Sequence, residues 1–132
     1  MKPSTYDRKL LLELFRRILW STEQILQRMQ PFHSAEDFLR NDTGVEKLDS
    51  ICMQLIAIGE ALKQVDRMTK GELLKRYPEV DWKGAKGMRD FLTHHYFDID
   101  AEAVFNTCTK HVPLLKRTIE KIIADLESVT ET

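Results

Sequence analysis

The sequence predicts an all-α fold, an antiparallel up-and-down bundle of about four main helices plus two short ones. Three observations carry this. Apolar residues recur at steps of three and four over long stretches, the period of an amphipathic helix. The 132 residues include only five Gly and four Pro, too few turn formers for a sandwich or barrel of many short strands. The connections between periodic stretches are short, which favours antiparallel neighbours.

The first helix is expected over residues 5–30. Leu11, Leu14, Ile18, Thr22, Ile25 and Met29 form one face, and Leu10, Phe15, Leu19 and Leu26 widen it, so burial on more than one side is expected. Pro31 ends it. Ser34 is the N-cap of a short helix to about Arg40. Thr43-Gly-Val-Glu46 has capping-box spacing and opens the clearest helix. There Leu48, Ile51, Leu55, Ile58, Leu62 and Val65 make a bundle-type seam, and Cys52, Ile56 and Gly59 a second, smaller face. Thr69-Lys-Gly-Glu72 is another capping box, predicting a short helix to about Tyr77 before Pro78. Asp81 caps a helix over about 82–95, in which Gly84 and Gly87 predict a close approach by another backbone. Asp98 or Asp100 caps the last helix. Its apolar face is Ala101, Val104, Cys108, Val112, Leu115, Ile119, Ile122 and Leu126, and Pro113 should kink or split it. The last residues, from Val129, are expected to fray.

One domain spanning 1–132 is expected from the length. No apolar run reaches the ~18 residues of a membrane span. The N-terminal stretch is broken by Glu13, Arg16 and Arg17, which argues against a signal peptide and predicts a cytoplasmic protein. Cys52 and Cys108 fit no metal or redox spacing and read as packed thiols. A net charge of −1 and a pI of about 6.4 argue against a wholesale electrostatic nucleic-acid binder. Charge is uneven, however. Residues 1–30 carry six Lys/Arg against three Asp/Glu, and residues 63–90 carry eight against five, so a local basic surface requires those blocks to meet.

Residues 89–96, Arg-Asp-Phe-Leu-Thr-His-His-Tyr, concentrate a guanidinium, a carboxylate, two imidazoles and a phenol. Imidazole suits proton transfer near neutral pH. Guanidinium is always charged, and its donor fork matches phosphate oxygens. A base that takes the proton of a ribose 2′-hydroxyl, with a fixed cation on the phosphoryl oxygens, would cleave RNA to a cyclic phosphate and leave DNA alone. Arg89 and His94 are five apart, about 140° around an ideal helix. Either the helix ends near His94, or the two meet across a dimer interface. Lys83 and Lys86 are candidate RNA phosphate contacts. Adjacent His94 and His95 face apart, so no metal site is expected. Trp82 reads as a packing anchor and Glu60 as a surface or interface residue.

Arg89, four residues, His94, one residue, Tyr96 resembles the R-x4-H-x-Y signature of HepT-like toxins, helical ribonucleases of the HEPN superfamily. About 0.006 such matches are expected by chance from this composition. Asp90 after the Arg, Gly87-Met88, Ile58-Gly59-Glu60-Ala61 and Val112-Pro113-Leu114-Leu115 also look like that family, over about residues 5–126. The resemblance implies a HEPN-like bundle that forms a homodimer, with Arg89 and His94 of both copies in one cleft. It implies metal-independent endoribonuclease activity with no cofactor: Arg89 on the scissile phosphate, His94 as general acid or base, and Asp90 in support. It also implies a partner, a minimal nucleotidyltransferase antitoxin that transfers AMP from ATP to Tyr96, and with it a higher assembly. Bulk and negative charge there would repel RNA. The alternative is a non-catalytic HEPN module that docks a nucleotidyltransferase and assists its nucleotide or substrate binding.

Overall fold

The computed structural model describes residues 4–94 and 98–130, with side chains over 8–94 and 98–128. Among the described residues the order is α1 (Ser4–Met29), α2 (Ala35–Leu39), α3 (Asp42–Thr69), a 3-10 turn (Leu74–Arg76), α4 (Trp82–His94), α5 (Ala101–Asn106), a π segment (Thr107–His111) and α6 (Val112–Thr130), with no strand. His95, Tyr96, Glu131 and Thr132 lie outside the described residues. No described helix is long and apolar enough to cross a membrane.

The seams read from periodicity are the core. Leu11, Ile18 and Ile25 of α1, Ile51, Leu62 and Val65 of α3, and Val104, Cys108, Ile119 and Ile122 of the last rod are all essentially inaccessible. Each large one contributes roughly 1.5–3 kcal/mol by leaving water. α1 lies between α3 and α6, and α4 packs on α3. Burial on two sides of α1 follows for Phe15, at 0% exposure, but Leu10 projects outside both neighbours at 45%. Ser21 Oγ donates to Gln54 Oε1 at 2.7 Å and Arg28 Nη1 to the Ser50 carbonyl at 3.5 Å, so α1 and α3 run antiparallel.

Several ends follow the sequence. Ser34 is the N-cap of α2, and Asp37 accepts from the backbone N–H groups of His33 and Ser34 at 2.8 and 3.2 Å. These bonds, the His33 N–H foremost, hold the Asp37 carboxyl below its ordinary range. Asp81 and Asp100 accept from the N–H groups of Gly84 and Ala103, each at 3.0 Å.

Other ends differ. α3 starts before Thr43, because Asn41 Oδ1 takes the Gly44 N–H at 2.8 Å and is the cap. Thr69 caps nothing. It is the buried last residue of α3 and donates to the Val65 carbonyl at 2.9 Å. The chain then turns through left-handed Lys70 and Gly71, at φ 53° and 74°, and the Gly71 N–H donates to the Asp66 carbonyl. That reversal occupies the residues expected to open a short helix, leaving only the 3-10 turn. Pro113 splits the last helix by way of the π segment just before it. Proline has no N–H and crowds the carbonyl four residues back, and the wider turn accommodates both. Thr109 Oγ1 donates to the Phe105 carbonyl in this stretch, at 2.9 Å.

Candidate functional site

The site is built on the α3–α4 crossing. The close approach expected at Gly84 and Gly87 lies elsewhere: a Cβ at Gly84 would meet only the capping Asp81 side chain, and one at Gly87 would meet nothing within 4 Å. The tight contact is at Gly59 of α3, where a Cβ would sit 2.7 Å from the Arg89 Cβ and 3.3 Å from the Lys86 carbonyl oxygen. Only a residue without a side chain lets α4 come this near, and that nearness fixes where Arg89 starts.

From there a ladder of opposite charges joins the helices. Glu60 pairs with Arg89, Lys63 with Asp90, and Asp66 with Lys86. The α3 members are three residues apart, so they share one face. Arg89 Nη1 also donates to Asp90 Oδ1 at 2.9 Å, and Lys63 Nζ donates to both Asp90 oxygens at 3.1 and 3.0 Å. The Lys63 bond first, then Arg89, holds the Asp90 carboxyl below its ordinary range. Asp90 and then Glu60 raise the Arg89 guanidinium further above its already high value.

Asp90 also reaches His94, through its backbone. His94 Nδ1 is 2.7 Å from the Asp90 carbonyl oxygen. A carbonyl only accepts, so Nδ1 donates in this contact, and Nε2 is the ring nitrogen left to take or give a proton elsewhere. One residue thus grips the guanidinium with its carboxylate and sets the imidazole tautomer with its carbonyl. Both Arg89 and His94 lie within the continuous α4, so the turn of about 140° between them stands.

Lys83 is exposed on α4, whereas Lys86 is tied to Asp66 and half-buried. Three cations and three anions make the ladder electrically balanced, so the basic stretch in residues 63–90 does not gather into a free cationic surface there. Trp82 is an anchor: it is half-buried and its Nε1 donates to the Tyr77 carbonyl at 2.7 Å. Glu60, Lys63 and Asp66 are site residues that the motif on α4 does not point to. The signal available was their alternating sign at steps of three along α3, opposite the Lys86, Arg89 and Asp90 of α4. A cleft of about 530 Å³ lies alongside, lined by Leu55, Ile58, Met88, His111 and Val112 among others, but neither Arg89 nor His94 lines it.

A helical bundle carrying an Arg–Asp–His cluster on an outer helix matches a known class. Residues 18–122 match the family described as Ribonuclease HepT-like, and the chain belongs to this family of HEPN ribonucleases. A protein of Methanocaldococcus jannaschii named "Putative RNase MJ0125" is 35% identical over 92 residues, 70% of this chain and 73% of that one. "Putative RNase TTE0752" of Caldanaerobacter subterraneus is 29% identical over 106 residues, 80% and 88% of the two chains. "Probable ribonuclease HepT" of Thermococcus cleftensis is 33% identical over 73 residues, 55% and 63%. No solved structure matches the chain significantly.

Proposed function

We propose that this chain is a metal-independent endoribonuclease of toxin type, working as one domain over residues 1–132 and as a homodimer. The observation that carries the reading is the double grip of Asp90, on Arg89 by its carboxylate and on His94 by its carbonyl. His94 Nε2 takes the proton of a ribose 2′-hydroxyl, and the freed oxygen attacks the adjacent phosphorus. The P–O5′ bond breaks, the 5′-oxygen takes a proton from water, a 2′,3′-cyclic phosphate remains, and the His94 imidazolium returns its proton to solvent. Arg89 binds the phosphoryl oxygens as their charge grows. The 140° between Arg89 and His94 is bridged by a second copy, the Arg of one facing the His of the other. Lys83 contacts a flanking phosphate; Lys86 does so only by leaving Asp66.

Regulation follows from Tyr96 in the same motif. A partner nucleotidyltransferase antitoxin transfers AMP from ATP to its phenol oxygen: the oxygen attacks the α-phosphorus and pyrophosphate leaves. The added charge and bulk keep RNA away. Co-expression with such a partner should add an adenylyl mass that Tyr96→Phe abolishes.

The direct test is cleavage of RNA in EDTA, with DNA of the same sequence as control. Arg89→Ala and His94→Ala should each lose about 10²-fold or more. Undiminished cleavage by either variant refutes the assignment. The balanced ladder favours a second reading, a HEPN module that docks the nucleotidyltransferase and cleaves nothing. Wild-type protein that binds such a partner and leaves RNA intact would establish it.

A further inference from the structure

We infer that Glu60 is a positioning residue for Arg89, and this rests on the nuclease reading above. The guanidinium is held on two sides. Glu60 pairs with Nε and Asp90 takes Nη1. Arg89 Nε is itself closed off from water; it makes no aligned hydrogen bond, and the Glu60 carboxylate lies against it as a charge partner. Nη2, at the tip, donates to no described residue, and the side chain is still 37% exposed. One nitrogen is therefore hydrogen-bonded to a carboxylate, a second lies against another carboxylate by charge, and the third is taken by no described residue.

An unrestrained Arg has four rotatable bonds and spreads its charge over many positions. Fixing Nε removes most of that freedom before substrate arrives, which is how a positioned charge lowers a barrier without reorganising. The location of Glu60 suits the role. Gly59 brings α4 against α3 at the root of Arg89, and the next residue on α3 supplies the carboxylate. The carboxylate also opposes an incoming phosphate. At 4 Å in water that opposition is about 1 kcal/mol, roughly a fivefold effect on binding. Glu60 thus aids turnover and weakens substrate binding, opposite effects that kinetics separate.

Glu60 is about half exposed on α3, and alanine is the best helix former, so Glu60→Ala should fold, as circular dichroism would verify. Its kcat for RNA cleavage should fall about ten- to hundredfold, because the guanidinium is no longer held to within an ångström, while KM stays level or falls. Glu60→Gln keeps an oxygen of the same reach beside Nε but loses the charge. It should recover most of kcat and show a KM up to about fivefold lower. The Arg89 Nε–H signal in nitrogen-15 NMR should be sharp in wild type and Glu60→Gln and exchange-broadened in Glu60→Ala. Wild-type kcat in Glu60→Ala overturns the inference while leaving the nuclease reading intact. A raised kcat also overturns it, since Glu60 would then be a brake. Wild-type protein that cleaves no RNA overturns the nuclease reading and this inference with it.

Discussion

Replacing Gly59 by alanine inserts one methyl group at the crossing of α3 and α4. Built on the existing backbone, that carbon would lie 2.7 Å from the Arg89 Cβ and 3.3 Å from both the Arg89 nitrogen and the Lys86 carbonyl oxygen. Ordinary carbon–carbon contact is about 3.5–4.0 Å, so α4 must retreat by roughly 1 Å. None of the three atoms is the end of a flexible side chain. Overpacking of this kind costs about 1–3 kcal/mol, and alanine returns about 1 kcal/mol in helix propensity. The net expectation is a destabilisation of roughly 0–2 kcal/mol, read as a small fall in the urea midpoint at unchanged slope. Activity should suffer far more. The displaced segment carries Arg89 and the Glu60, Lys63 and Asp66 contacts, and a shift of about 1 Å in a catalytic group is worth about 10²-fold. Urea denaturation and RNA cleavage on the same preparation check both numbers. A Gly59→Ala protein about 1 kcal/mol more stable than wild type, with full activity, would show that the helices do not meet there.

Gly87 supplies the contrast: nothing lies within 4 Å of a Cβ there, so Gly87→Ala should raise unfolding free energy by about 1 kcal/mol. A fall in stability on urea denaturation would mean that this face is covered. Burial pushes the Cys52 thiol from 9.0 up to about 11 and the Cys108 thiol to about 12. Neither should react with a thiol reagent at pH 8 until the chain unfolds, when both should. Because both values are raised in the folded state, their contribution is fully present below about pH 9 and is lost as pH climbs toward 12, so the urea midpoint should drop across that window. The balanced ladder leaves little free cationic charge. If Arg89 and Lys83 from each copy meet phosphates, log affinity for single-stranded RNA should fall against log salt with a slope of about −2.8. A slope several times steeper in a binding titration would mean that cations outside the site carry recognition.

The sequence by itself determined the helices, their buried faces and most of their ends. Those properties are local. Ile51, Leu62 and Ile119 fall on the core side because residues three and four apart stack on one face of any α-helix. Asp81 and Asp100 cap because a carboxylate two or three residues before a free N–H reaches it in any chain. The motif on α4 was legible for the same reason, since Arg89, Asp90 and His94 are fixed relative to one another by one helix. The caps expected at Thr43 and Thr69 do not form because competing local arrangements, the Asn41 cap and the left-handed turn at Lys70, use neighbouring residues and only one can form.

What the tertiary structure alone decided is which charged faces meet. Glu60, Lys63 and Asp66 look like ordinary solvated positions until α4 is laid across α3 at Gly59, when they become the partners of Arg89, Asp90 and Lys86. The crossing point depends on how the apolar seams of both helices interlock over their whole length. No window of sequence contains that sum, so the identity of the carboxylate that holds Arg89 could be read only from the packed bundle.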